Sequence, residues 1–269
     1  MNGALTKGIP FAEYCAIDAE HSSTLKSMLV SPLHYKHARE VPRADAATLR
    51  LGRAVHTSVL EPDRFPIDFT VYTESKNKGK GSVKAWEAFQ AANTNRSILD
   101  EEEYERALAI RNAVRRSSRA MELLSEGDGE VTAQWAHEAT GLACKARFDW
   151  CGPKGIVDLK TTRGIDVAGF SRDVANYAYH LQFALYCDGY ETIAGEAPPF
   201  WVVSVESTAP HDVVVYRVPE ALIQRAWVTV QNLLENVKRC RTANHWPGVA
   251  GDQVVELALP AWAEQGAAQ

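Results

Sequence analysis

Arg147-Phe-Asp-Trp-Cys-Gly-Pro-Lys-Gly-Ile-Val-Asp-Leu-Lys160 is the stretch on which the fold turns. Gly152-Pro-Lys-Gly155 is a turn signal between two runs rich in β-branched and aromatic residues, so the segment reads as a hairpin, with strands over 142–150 and 156–161. Side chains alternate along a strand, so Asp158 and Lys160 share one face while Val157 and Leu159 turn the other way into a core. If the turn closes the hairpin, Asp149 lies beside them, and two carboxylates and a lysine occupy one small patch.

Two acids held close are costly unless a cation sits between them. A few hard oxygen ligands with open positions for water and phosphate suit Mg²⁺, with Mn²⁺ as a substitute. A neighbouring lysine neutralises charge and orients or helps deprotonate an attacking water, which together is the equipment for metal-assisted phosphodiester hydrolysis. A blander reading fits the same residues: Asp149 closes a turn, Asp158 pairs with Lys160, and short motifs match by chance. The surrounding sequence decides between them.

Working outward, residues 131–137 alternate with period two, and a helical stretch over 173–190 follows the hairpin. Strands over 200–206 and 213–218 come next, then a long amphipathic helix over 219–241. The order is three strands, helix, strand, strand, helix. Upstream the chain reads as mostly helical, with a short helix capped by Ser22-Ser23, a second over 45–60, and a third from Asp100 to about Leu124. In the third, Asp100 is the cap and Glu101 to Glu103 fill the first turn. The fold class expected is α/β (α+β), a central mixed sheet flanked by helices. The organisation expected is a single domain over 1–269, with a helical part over 1–125, a catalytic core over 126–245 and a tail over 246–269.

The composition, 46% hydrophobic and 23% charged in 269 residues, is that of an ordinary globular chain. No apolar run of eighteen residues appears and the start lacks a signal-peptide layout, so a soluble cytoplasmic protein with no membrane partner is expected. Five scattered cysteines without a CxxC pair fit neither a disulfide framework nor a zinc site. The net charge of −5 is the wrong sign for an indiscriminate polyanion binder, but it is unevenly placed: +1 over 1–50, +2 over 51–120, −6 over 121–200 and −2 over 201–269. The acidic segment holds the candidate metal-ligating acids, and the basic residues that could hold DNA lie mainly upstream.

The motifs in order resemble the PD-(D/E)xK nuclease superfamily, and within it the phage-type recombination exonucleases similar to RecE and λ exonuclease. Ser31-Pro-Leu-His-Tyr35 and Leu51-Gly-Arg-Ala-Val-His56 resemble the helical N-terminal signature. Phe148-Asp149 stands for the first acid, with Phe in place of the family's Pro. Asp158-Leu-Lys160 stands for the D/ExK element, with Asp rather than Glu, and Gln182-Phe-Ala-Leu-Tyr186 for the Gln-x-x-x-Tyr motif. Trp246-Pro-Gly248 and Leu259-Pro-Ala-Trp262 resemble the family's ending, so the likeness runs from about residue 22 to 262.

The resemblance implies a restriction-endonuclease-like core and a Mg²⁺-dependent exodeoxyribonuclease, bacterial or phage-encoded, acting on double-stranded DNA ends from the 5′ side. It further implies a homo-oligomeric ring and a single-strand annealing protein as partner. Asp149, Asp158 and Lys160 are its implied catalytic residues, with Gln182 and Tyr186 positioning phosphate or water. His56 and the Leu159 backbone carbonyl are implied metal ligands beside the two acids. On residues alone His56 fits a hydrogen-bonded histidine, and Gln182 and Tyr186 fit a polar stripe. Glu130 is a further candidate metal-site acid, and a solvated strand-end glutamate fits it equally well.

Candidate phosphate contacts are Arg53, the cluster Lys76, Lys78 and Lys80, and the stripe Arg111, Arg115 and Arg119; a solvated loop and a solvated helix face are the plain alternatives. An iron–sulfur module akin to Cas4 or AddB is disfavoured by the spacing of Cys187 and Cys240. A RecB-like module, an endonuclease on the same core and a catalytically silent DNA-binding scaffold are the remaining alternatives.

Overall fold

The computed structural model describes residues 3–41, 47–74 and 80–259. The chain enters through β1 (Gly3–Thr6), α1 (Phe11–Ala16) and α2 (Ser22–Leu25), which runs on into a 3-10 turn. In α3 (Pro32–Glu40) the Ser31 side chain accepts the His34 N–H and Pro32 occupies the first turn, where no N–H is missed. Next come α4 (Ala47–Leu60), α5 (Phe65–Asp68), β2 (Phe69–Tyr72), α6 (Lys80–Ala92), β3 (Ser97–Asp100), α7 (Glu101–Arg116) and α8 (Ser118–Leu123). The core half supplies β4 (Asp128–Ala136), β5 (Ala143–Gly152), β6 (Gly155–Thr162), α9 (Val167–Asn176), α10 (Tyr179–Ala194), β7 (Phe200–Glu206), β8 (Val213–Arg217) and α11 (Glu220–Ala243).

Six strands form one mixed sheet in the order β1-β4-β5-β6-β7-β8. Only β6 and β7 run parallel, because α9 and α10 carry the chain back across the sheet between them. Leu181, Leu185, Leu234 and Val237 of α10 and α11 pack with Val131, Phe148, Ile156 and Val202 on one face. Val55, Ile110 and Val114 of α4 and α7 pack with Val157, Leu159, Val203 and Val205 on the other. This is the expected mixed sheet with helices on both sides, consistent with a restriction-endonuclease-like fold. Among the described residues no helix is long and apolar enough to cross a membrane.

Besides its helices the upstream half carries three short strands that were not expected: β1 joins the main sheet, and β2 and β3 form a separate parallel pair. Two expectations need correction. The helix expected to run to Leu124 starts as read, with Asp100 and Glu103 bonding each other's backbone N–H, but ends at Arg116. There Ser117 turns extended and its hydroxyl accepts the Ala120 N–H, starting α8. The helix over 173–190 is two helices: Asp166 caps α9 well before 173, and Ala178, at φ 50°, separates it from α10. The start of the helix read from residue 45 lies outside the described residues.

Candidate active site

The register of the sheet builds the site. β4 and β5 pair Gly129 with Trp150 and Val131 with Phe148, which sets Glu130 opposite Asp149. β5 and β6 pair only from Trp150–Val157 to Gly152–Gly155, so the hairpin opens where Asp149 would meet Asp158. Three acids thus lie in a row across three adjacent strands. Glu130 is left-handed at φ 55°, and core-facing positions change parity there: Phe148 joins one core, while Trp150, two residues on, packs against the other. A local irregularity of this kind re-aims side chains beside an antiparallel ladder.

The opening is closed by the acid itself. Asp149 Oδ2 accepts the Leu159 N–H at 2.7 Å, filling a bond that a continued ladder would have made. Since a residue's N–H and C=O point to the same side of a strand, the Leu159 carbonyl also faces this gap. Both helical layers reach it. From α4, His56 Nδ1 lies 3.5 Å from Asp149 Oδ1; from α10, Gln182 Nε2 donates to Asp158 Oδ1 at 2.9 Å. Lys160 Nζ lies 2.6 Å from Asp158 Oδ2, an ion pair by distance in which that oxygen gains no aligned hydrogen bond. Tyr186 is buried against Phe148, ring centres 5.2 Å apart, one helical turn beyond Gln182 on α10.

Crowding shifts every group in the row. Burial, helped by the Asp149 charge and opposed by Lys160, pushes the Asp158 carboxyl up to about 6. Burial and the same Asp149 charge raise Glu130, against the opposing pull of His56 and Arg147. Burial would raise Asp149 too, but His56, Lys160 and the Leu159 N–H hold it below the usual carboxylate range. Burial would lower His56, yet the charge and hydrogen bond of Asp149 and the charge of Glu130 carry it up to about 9. Burial likewise opposes the charge on Lys160, and Asp158 and Asp149 overcome it. Perturbed acids and bases gathered at one opening are the mark of a functional site.

His56, Glu130 and Asp149 each offer a ligand atom, all within 4.8 Å of one another. With the adjoining Asp158 oxygen this is a mostly oxygen donor set, suited to a small divalent cation. The structure therefore brings together His56, Glu130, Asp149, Asp158, Lys160, Gln182 and Tyr186. Glu130 is not a solvated strand end: its carboxylate is paired with Arg147, which also donates to the Ile9 carbonyl at 2.7 Å.

The basic candidates fare less uniformly. Arg53 is half-buried on α4, three residues before His56. Lys76 and Lys78 lie outside the described residues, and Lys80 is the first residue of α6. The arginine stripe is broken by Ser117: Arg115 is exposed on α7, Arg111 reaches Asn112, and Arg119 on α8 pairs with Glu122 at 2.6 Å. Two neighbours of the site were missed. Arg147 gives no short-motif signal, because its link to Glu130 spans two strands. Tyr179 was legible: it stands three residues before Gln182 and seven before Tyr186, on the same helical face. Its ring centre is 5.0 Å from Lys160 Nζ.

No curated protein matches the chain in sequence. A solved crystal structure, "Putative exonuclease" from Eubacterium rectale, is similar in fold with a TM-score of 0.63 at 16% identity. The match covers 96% of this chain and 98% of that one. In sequence, residues 21–255 match the family described as a PDDEXK-like domain of unknown function, DUF3799. That span contains all three acids, His56 and Lys160. The chain belongs to this family and, through it, to the PD-(D/E)xK nuclease superfamily.

Proposed function

We propose that this chain is a divalent-metal-dependent exodeoxyribonuclease that hydrolyses linear double-stranded DNA from the 5′ end, leaving 3′ single-stranded overhangs for recombination. The observation that carries the hydrolytic part is the row Glu130–Asp149–Asp158, flanked by His56 and Lys160, at the open end of a hairpin. The exonuclease preference, the polarity, the annealing partner and the ring rest on the motif resemblance. Mg²⁺, or Mn²⁺ in its place, is the proposed ion, and the organisation proposed is a single nuclease domain with a helical N-terminal part.

His56, Glu130, Asp149, Asp158 and the Leu159 carbonyl would hold the ion, which supplies charge neutralisation at the phosphate and a water of lowered pKa. Lys160, held by Asp158, presents an ammonium at the same opening, where it balances phosphate charge and steadies the attacking water. Gln182 holds the Asp158 carboxylate by its amide, so Asp158 Oδ2 stays turned toward Lys160 and the gap. Tyr186, kept protonated well above the ordinary tyrosine range by burial, donates or accepts as a neutral hydroxyl one helical turn from Gln182. Arg147 ties Glu130 to the Ile9 backbone carbonyl. Exposed basic residues, Arg115 first among them, would meet the backbone of the duplex.

The test is a pair of substrates, end-labelled linear duplex and covalently closed circular DNA, each with Mg²⁺, with Mn²⁺ and with EDTA. Metal-dependent loss of the linear DNA alone is expected. Cutting of closed circles would replace the exonuclease with an endonuclease on the same core. Binding without hydrolysis in any metal would make the chain a silent scaffold.

A further inference from the structure

The link between α9 and α10 is Tyr177-Ala178, and it sits beside the site. Thr162, two residues past Lys160 on β6, donates its hydroxyl to Asp173 of α9 at 2.5 Å. Ala178 is buried and left-handed at φ 50°, an uncommon conformation for a residue with a Cβ. The strained turn sets two tyrosine rings side by side, with centres 5.5 Å apart. The inner ring, Tyr179, has two ammonium groups near its centre, Lys160 Nζ at 5.0 Å and Lys26 Nζ at 5.2 Å. The outer ring, Tyr177, is 58% exposed, although burying an aromatic face is ordinarily favourable.

Resting on the nuclease reading above, we infer that Tyr177 is a stacking platform for the base of an unpaired nucleotide next to the phosphate being cut, with Tyr179 fixing Lys160 behind it. Cations interleaved with open aromatic faces are how proteins hold single-stranded nucleic acid, since every base has a π-face and every linker a phosphate. An unpaired strand spaces its nucleotides more widely than the about 3.4 Å of a stacked duplex, while Tyr177 stands only one ring beyond the Tyr179 ring that touches Lys160. A base on Tyr177 therefore belongs to the nucleotide at the site or its close neighbour. A base inside a duplex has no free face and only the outermost pair shows one, so the unpaired base held on Tyr177 belongs to an opened end. Tyr177 selects for opened ends, and the metal-site residues do the cutting.

A short single strand carrying 5-iodouracil near each end, bound in EDTA so that nothing is cut, tests this by photo-cross-linking and peptide mapping, alongside affinity by anisotropy. The wild-type adduct is expected on Tyr177. Tyr177→Ala should weaken strand binding about tenfold, while Tyr177→Phe, which keeps the ring, should bind like wild type. Adducts mapping elsewhere, or Tyr177→Ala binding unchanged, would overturn the platform. If the wild type cuts DNA and Tyr177→Ala still binds normally, only the platform falls. If the wild type neither binds nor cuts DNA, the nuclease reading falls and takes the platform with it.

Discussion

One buried carboxylate, Glu20, and a row of three acids, Glu130, Asp149 and the buried Asp158, sit toward opposite ends of β5, and the chain treats them in opposite ways. Glu20, fully buried beside Cys144, is saturated: Tyr35 donates to it at 2.5 Å, Arg39 at 3.2 Å, and Arg241 closes the cluster. Its backbone is also tied to β5, bonding Ala143 and Lys145 at 2.8 Å each. At the other end Glu130, Asp149 and Asp158 face one another with fewer donors than oxygens, and two of the three are pushed toward protonation. A buried acid met by two guanidiniums is built to hold elements together. Acids left competing for too few partners are, in the function proposed above, the ones that receive a cation from outside.

The sharpest way to break this contrast is to exchange activity for stability at each end. Lys160→Ala and Asp158→Ala should each lower hydrolysis by about a thousandfold or more, while the fold survives, as read by circular dichroism. Turnover like wild type in either variant would return the motif to an ordinary ion pair. Glu20→Gln should do the reverse. Leaving Arg241 and Arg39 without their buried partner costs about 3 kcal/mol, about 8 °C in thermal unfolding, with hydrolysis per folded molecule kept. Loss of activity without loss of stability would erase the distinction between the two ends.

Asp188 is an intermediate case that sharpens the comparison, a half-buried carboxyl with one donor, the Trp135 indole N–H at 2.8 Å. Burial pushes it up to about 6, so the folded chain binds this proton more tightly than the unfolded chain. Its contribution to stability is therefore present at low pH and is lost as pH rises from about 4 through about 6. Asp188→Asn keeps an oxygen for Trp135, so urea unfolding should show it more stable than wild type by about 1–2 kcal/mol at pH 8 and no more stable at pH 4. A gain of the same size at both pH values would show that the charge is not the cause. The smallest effect is at Arg115. If α7 touches phosphate, Arg115→Ala lowers the salt slope of DNA binding by about one unit, and an unchanged slope makes it a solvated residue.

Much of the site was legible because strand periodicity and a turn signal determine which residues share a face. Asp149, Asp158 and Lys160 could be placed from the hairpin alone, and Gln182 with Tyr186 from helical spacing. What periodicity could not show is where pairing stops. The opening beyond Trp150–Val157 and the left-handed Glu130 depend on contacts between three strands, so Glu130 read equally well as solvent-exposed. The break at Ser117 is a competition between helix continuation and a local serine cap, and the break at Ala178 places an L-residue where glycine would be expected. Neither has a strong local signal. β1 is four residues long, and its place in the sheet is set by partners more than a hundred residues away.

The central claim is that the row of acids is a cation site rather than a structural cluster like that of Glu20. Isothermal titration of Mn²⁺ into the metal-free wild type and into Asp149→Asn tests it most directly. Saturable binding in the wild type, lost in Asp149→Asn and retained in Glu20→Gln, is the predicted result. No binding to the wild type, or equal binding to all three, would contradict it.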